Sequence, residues 1–398
     1  MDFSFTEEQK ALRKEFEAFF DRVMREAPED FDSSLEGIYA SDEGWGFHCD
    51  VARKLGEKGW LTLPWPKEYG GQAAPIIEQL IFSEVRGYYG APGIDIFGLN
   101  MLAPTLMLHG TEGQKKEFLP PIARGEVHWC QAWSEPNAGS DLASLTTRAV
   151  EDGDDYVLNG QKIWSTGAHR TDWAFTLART NPEERRHRGL TYFLLNLRTP
   201  GVTIRPIPDM GGELTFNEIF FDDVRIPKRN MVGEKDRGWY ITLATMNFER
   251  SGAGALAAAR KAVEGLAQFA KEAKVDGKSL WQNPLIRHRL AQLFIEAEVG
   301  RAMCYRVAWM QSKGEITAHH ASATKVYGSE LGQRIAYTGC QIMGLYGQVK
   351  SGSKWAPFKG KFESSYRTCV AMNIAGGTSE IQRNIIATWG LELPREPR

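Results

Sequence analysis

The chain has 398 residues, with 48 lysines and arginines against 50 aspartates and glutamates, a formal net charge of −2. That balance gives no basic field for nucleic acid or an anionic membrane surface, and no apolar run reaches the roughly 18 residues that cross a bilayer. Hydrophobic residues at 42% and charged residues at 25% describe a globular protein with room for two or three domains.

The N-terminus, "MDFSFTEEQKALRKEF", is charged and amphipathic, unlike a secretory signal. Cys49, Cys130, Cys304, Cys340 and Cys369 are far apart and form no paired spacing. Reduced thiols in a cytoplasmic compartment are the expectation, without a zinc site or a disulfide framework.

The first third reads as helices. Thr6 to Gln9 has the pattern of a capping box, and Leu12, Phe16, Phe19 and Val23 follow at helical spacing. "PIIEQLIFSEVRGYYG" and "IFGLNMLAPTLMLHG" predict further buried helices, and "TEGQKKEFLPPIARGE" a short polar one stopped by Pro120 and Pro121. From Val127 to about Val232 the signals become those of strands. "DDYVLNGQKIWST" places two apolar runs about Asn159-Gly160, a hairpin signature; "DWAFTLART", "LTYFLLNL", "GVTIRPI" and "FNEIFFDDVRIP" follow. After Asp236 helices return. One long pattern covers "GWYITLATMNFERSGAGALAAARKAVEGLAQFAKEA". Two more cover "PLIRHRLAQLFIEAEVGRAMCYRVAWMQSKG" and "AHHASATKVYGSELGQRIAYTGCQIMGLYG", and "TSEIQRNIIATWG" is a short last one.

Several motifs are decoys. Gly252 to Ala257 fits G-x-G-x-x-A, but that fingerprint needs a βαβ unit around it, and helical pattern alone follows. The plain reading is that small residues let two helices approach. The eight histidines show no metal-ligand spacing, and neither a phosphate loop nor a nucleophile elbow is present. Glu249 stands apart. On a continuous helix its neighbours are Thr245, Met246, Gly252 and Ala253, with Thr242 and Leu256 a turn further, and no cation among them. Such a carboxylate is either half of a tertiary ion pair or a desolvated acid whose raised pKa suits a general base.

Four stretches, "WCQAWSEPNAGSDLASL", "YVLNGQKIWST", "FNEIFFDDVRIP" and "GGTSEIQRN", occur in this order along the chain. Together they resemble the acyl-CoA dehydrogenases, and the resemblance covers essentially the whole chain. It implies a mainly α fold with a β-barrel insert. An α-helical N-terminal domain would span 1–126, a middle antiparallel β-barrel domain 127–235, and a C-terminal four-helix-bundle domain 236–398. It further implies FAD as cofactor, an acyl-CoA substrate, α-proton abstraction with β-hydride transfer to flavin N5, and an electron-transferring flavoprotein as acceptor.

The resemblance also assigns positions. Many relatives carry the base in the C-terminal loop, where this chain has Gly376. A subset resembling the isovaleryl and long-chain enzymes has a small residue there and a glutamate at the position of Glu249, and this sequence has both features. Gly376 would still supply a backbone N–H to the thioester oxygen. Gln131, Trp133, Ser134, Gly139 and Ser140 match the loop along the isoalloxazine and substrate; Trp164, Ser165 and Thr166 match the segment over the other side of the ring. Gln341, Ile342, Met343 and Gly344 match a segment reaching the adenosine half from a neighbouring subunit, and Thr378 and Glu380 the last contacts. For Trp164 a place in the sheet core is the plain alternative, and for Thr378 a simple helix cap. Asn247, Arg250 and Ser140 match substrate positions, and Ala375, where many relatives are aromatic, implies a roomier cavity.

One segment departs from the pattern. Many homotetrameric relatives carry Arg-x-Thr-Phe-Gly after the first long C-terminal helix, whose arginine meets the FAD pyrophosphate of the adjacent subunit. Here the segment is "EAKVDGKSLWQNP", with Ala273 in the arginine's place and Pro284 in that of a nearby glutamine. Either Lys274 or Arg287 compensates within a homotetramer, or a sister subunit supplies the arginine in a heterotetramer. Two alternatives stay open beside the dehydrogenase: a related flavin monooxygenase or oxidase, and a non-catalytic subunit supporting a flavin-bearing partner.

Overall fold

The computed structural model describes residues 4–184, 186–245, 252–315 and 318–395. The chain folds into two compact units, each assembled from separated stretches. Met1–Glu26, Pro75–Ala91 and Arg250–Arg398 form one; Ala27–Ala74 and Pro92–Glu249 form the other.

The first unit is helical. Its opening helix, Glu7–Arg25, starts in the expected capping box: Thr6 Oγ1 accepts from Gln9 N, and the Gln9 side chain accepts from Thr6 N. Phe16, Phe19, Phe20 and Val23 are its buried face. Helices Ile76–Tyr89, Ala253–Glu272, Pro284–Ser312 and Ala318–Met343 join it around a core that includes Leu80, Leu256, Leu266, Leu293, Leu331 and Ile335. The small residues of the G-x-G-x-x-A stretch serve helix approach, as read above. A Cβ added at Gly87 would lie 2.1 Å from the Gly254 carbonyl oxygen, so the approach of the two backbones leaves no room for a side chain at Gly87. Buried Glu84 ties three helices by accepting from Arg13 Nη1 at 2.8 Å and Tyr305 Oη at 2.8 Å, and by pairing with Arg301.

The long pattern from Gly238 is not one helix among the described residues. It forms Gly238–Thr245 and Ala253–Glu272, and the second helix starts at Gly252, whose φ is +65°. A left-handed residue ends helical geometry, so the Ala253–Glu272 helix does not continue back through Gly252.

The second unit is built on a sheet of β1 (Trp129–Ala132), β2 (Arg148–Asp152), β3 (Asp155–Lys162), β4 (Trp173–Arg179), β5 (Leu190–Asn196), β6 (Val202–Ile207), β7 (Phe216–Pro227) and β8 (Met231–Val232). Strands pair in the order β6-β7-β3-β2-β4-β5-β8, with β1 on β4. Two findings correct the antiparallel barrel expected. The β1–β4 and β2–β4 pairings are parallel; the β2–β3 hairpin lies between β1 and β4 in sequence, giving the long connection a parallel pair needs. Among the described residues the path does not close: β8 pairs with β5 over two residues only. Helical N- and C-terminal stretches thus flank a middle β-sheet.

Asn159-Gly160 is not a hairpin turn. It lies inside β3, where the register with β7 shifts between Leu158 and Gly160, so the glycine makes a bulge. Gly160 has φ +147°, and a Cβ there would meet Thr147 Oγ1 at 2.6 Å. The Asn159 side chain donates to Asp223 Oδ1 at 2.9 Å and accepts from Asp223 N at 3.0 Å. The turn is earlier: Asp152 pairs with Asp155 across Gly153, at φ +60°, and Asp154.

Pro120 and Pro121 do not stop their helix either. It runs Glu112–Ala123 with both prolines inside. Near a C-terminus the cost is small: the carbonyls deprived of a partner belong to Lys116 and Glu117, both exposed. Helices Leu35–Ala40, Asp42–Glu57 and Lys361–Thr368 were not foreseen.

Candidate active site

The sheet unit brings two of the predicted segments into one cradle. Gln131 is half-buried on β1, Trp133 is buried and Ser134 half-buried. The chain then doubles back, with Glu135 N donating to Ala138 O and Ala138 N to Glu135 O, both at 3.0 Å, which leaves Gly139 and Ser140 exposed. Beside it runs the end of β3. Ile163 N donates to Ser134 O at 2.9 Å, Ser165 N to Asn217 O at 3.1 Å, and Asn217 Nδ2 to Ser165 O at 2.9 Å. Pinned on both sides, Trp164 takes φ +64° and the residue stands 57% exposed, which excludes the core alternative. A left-handed bulky residue costs roughly 1–3 kcal/mol and is kept where surroundings over-determine it.

What locks the two segments together is a pair the sequence did not single out. Lys162 Nζ donates to Glu135 Oε1 at 2.9 Å and to Trp133 O at 3.1 Å. Glu135 also accepts from Thr146 N, Thr146 Oγ1 and Thr147 N, at 2.6, 2.8 and 2.9 Å. Burial pushes the Glu135 carboxyl up, but Lys162 and these donors outweigh it and hold it at about 2. Burial pushes Lys162 down to about 8 against the pull of Glu135. Both stay ionised at neutral pH. No periodicity could announce this pair: the partners are 27 residues apart, and the lysine occupies an inward position of an alternating strand.

The helical unit holds residues 341–344, Gly376, Thr378 and Glu380. Gln341 and Gly344 are exposed, while Ile342 and Met343 are buried in the helical core. Gly376 and Gly377 are both left-handed, at φ +63° and +85°. Gln382 Nε2 donates to Gly376 O, and Lys325 Nζ to Gly377 O, each at 2.9 Å. Among the described residues the Gly376 N–H meets no acceptor, and a Cβ added there would touch nothing within 4 Å. Thr378 caps the Ser379–Ile385 helix by accepting from Ile381 N at 3.2 Å; Glu380 is exposed in its first turn. Glu249, Asn247 and Arg250 lie outside the described residues. At the departing segment, Ala273 ends the Ala253–Glu272 helix, and Lys274 and Arg287 are both exposed.

Comparison with known proteins decides the family. Models of the acyl-CoA dehydrogenase N-terminal, middle and C-terminal domains match residues 6–126, 130–224 and 236–391. The chain belongs to the acyl-CoA dehydrogenase family. It is 35% identical to acyl-CoA dehydrogenase FadE26 of Mycobacterium tuberculosis, with 100% of each chain covered, and 32% identical to FadE29 of the same organism, with 99% of each covered. Among solved structures it is similar to the Tcur3481-Tcur3483 steroid ACAD (TM-score 0.89, 32% identity, 100% of each chain). It is similar also to the ChsE4-ChsE5 complex from Mycobacterium tuberculosis (TM-score 0.88, 34% identity, 99% of this chain and 100% of that one).

An acyl-CoA dehydrogenase is a flavoprotein oxidoreductase, and the cradle fits a flavin. Trp133 Nε1 and Ser165 Oγ are buried and without a hydrogen-bond partner among the described residues. Unpaired donors of this kind are costly unless something else accepts from them. The exposed Trp164 side chain, adjacent in the chain to Ser165, is a face suited to a flat heterocycle. Among the described residues no cluster suits a metal ion, and no helix is long and apolar enough to cross a membrane.

Proposed function

We propose that this acyl-CoA dehydrogenase uses FAD to oxidise an acyl-CoA thioester to the 2-enoyl-CoA, with Glu249 as the base. The observation that carries the reading is the turn at Gly376. It is left-handed, open and without a carboxylate, yet its N–H is unspent. A turn so built offers an electrophilic contact to a thioester oxygen but no proton acceptor, which the chain must place elsewhere. Glu249 takes the α-proton, and the Gly376 N–H stabilises charge that grows on the carbonyl oxygen. FAD, when bound, supplies the acceptor for the β-hydride. Trp133, Ser165 and Trp164 orient it, with Gln131, Ser134, Gly139, Ser140, Thr166, Thr378 and Glu380 around it. Gln341 and Gly344, with the buried Ile342 and Met343 behind them, form the segment that reaches a neighbouring subunit's cofactor. Asn247, Arg250 and Ser140 hold the CoA portion, where a cation suits phosphate. The three parts 1–126, 127–235 and 236–398, the last a four-helix bundle, belong to this reading, as does an electron-transferring flavoprotein as acceptor.

For the acyl group we infer a bulky, polycyclic class. The resemblance to a structure titled a steroid ACAD and the small Ala375 beside the turn support it. Anaerobic mixing with linear, branched and steroid-bearing acyl-CoAs tests this: bleaching of the flavin only by the bulky thioesters is expected, and preference for a linear chain overturns it. A heterotetramer with a sister subunit is compatible with Ala273 in the arginine's place and with relatives titled as two-chain complexes. Flavin per chain in the protein purified alone separates that from a homotetramer, which requires about one.

A further inference from the structure

Two consecutive glycines make an unstable platform for an electrophilic N–H. Each accepts either sign of φ at little cost, so the peptide between them is free to flip. In a trans peptide the N–H and C=O point in opposite directions. A flip of this peptide leaves the Gly376 N–H, which belongs to the preceding peptide, in place but turns the Gly376 carbonyl out beside it, setting a carbonyl dipole against an oxygen gaining negative charge.

Two side chains oppose this. Gln382 Nε2 holds the carbonyl of the Gly376–Gly377 peptide, and Lys325 Nζ holds that of the Gly377–Thr378 peptide, both at 2.9 Å. Gln382 is 5% exposed, and its amide lies so near that a Cβ on Gly377 would come within 2.7 Å of Nε2. Lys325 is half-buried on the Ala318–Met343 helix. Each peptide following Gly376 thus has its oxygen tied inward by a donor from a different helix. The ψ of Gly376 is fixed by the first of them.

We propose that Lys325 and Gln382 are positioning residues, which lock the peptides after Gly376 against flipping, so that the Gly376 and Gly377 carbonyls stay turned away and the Gly376 N–H meets the substrate thioester unopposed. The proposal rests on the functional reading above. Neither side chain touches the reacting atoms; both act through the backbone.

The test uses Lys325→Met and Gln382→Leu, which keep shape and remove the donor, with Lys325→Arg as the conservative rescue. Flavin content and thermal midpoint report whether each variant is folded. In turnover, kcat falls about 10–100-fold with KM within about threefold, as for a partly misplaced oxyanion donor, and Lys325→Arg recovers most of the rate. The specific signature is the infrared band of a carbonyl-labelled acyl-CoA bound to the Glu249→Gln protein, where no turnover intervenes. The band lies below its solution frequency in that background and moves back toward it when Lys325→Met or Gln382→Leu is added. An unmoved band in both double variants, or a rate loss borne by KM alone, overturns the proposal. Failure of the base assignment is distinct: it is seen as flavin bleaching in Glu249→Gln, which does not depend on either positioning residue.

Discussion

At Trp164 the backbone takes φ +64° around a bulky side chain; at Gly376 it takes +63° with none. The same left-handed geometry is reached by opposite routes. Trp164 is forced there by hydrogen bonds to its neighbours at Ile163 and Ser165, and behind them by the buried Glu135–Lys162 pair. The product is an exposed aromatic face. Gly376 is there at no steric cost, and Gln382 and Lys325 hold the carbonyls of the turn. Its product is a single N–H. One region spends strain to hold a ring; the other omits a side chain to expose a peptide, and in the proposed reaction it relies on a base from a different part of the chain.

The largest expected effect tests that last step. Glu249→Gln lowers turnover by about 10²–10⁴-fold while flavin content stays normal. Adding Gly376→Glu, which moves the carboxylate into the open turn, restores part of the rate despite a strain of roughly 1–2 kcal/mol at this φ. No recovery would show that the turn cannot serve as the base's place in this chain.

Next in size is the lock behind Trp164. Lys162→Met strands the Glu135 carboxylate in the interior and lowers stability by about 3–5 kcal/mol, read as a drop in unfolding midpoint and loss of flavin. The pair also has a pH signature. The Glu135 carboxyl titrates at about 2 in the folded chain against an ordinary 4.5, so the unfolded chain takes up its proton first. Its contribution is full above pH 4.5 and is lost as pH falls through about 2. Denaturation midpoints of the wild type and Lys162→Met therefore converge in acid; parallel curves would remove the pair from the account.

The smallest effect belongs to Ser165→Ala. With its hydroxyl buried and unpartnered, the apo protein should be unchanged or slightly stabilised. Flavin affinity drops about 2–10-fold, the worth of one hydrogen bond. Unchanged affinity would mean that the hydroxyl faces no cofactor atom.

Much of this was readable in advance. The Thr6–Gln9 box, the strands "DWAFTLART" to "FNEIFFDDVRIP" and the second and third long C-terminal helices carry strong periodicity, and each forms where expected. What was misread shares one physical cause: local signatures that serve more than one geometry. Asn-Gly suits a tight turn and also a bulge, and only contact with Thr147 and Asp223 selects the second at 159–160. Gly252 reads as a small packing residue, yet it also breaks the helix. The Glu135–Lys162 pair and the pins on the Gly376 turn were not legible, because they join residues far apart in sequence through side chains with no distinctive spacing.

The most direct test of the central claim is a single turnover. Glu249→Gln protein, loaded with flavin, is mixed anaerobically with an acyl-CoA that bleaches the wild type. The account predicts that the oxidised flavin band persists, with the thioester bound. Bleaching at the wild-type rate would show that another group takes the α-proton.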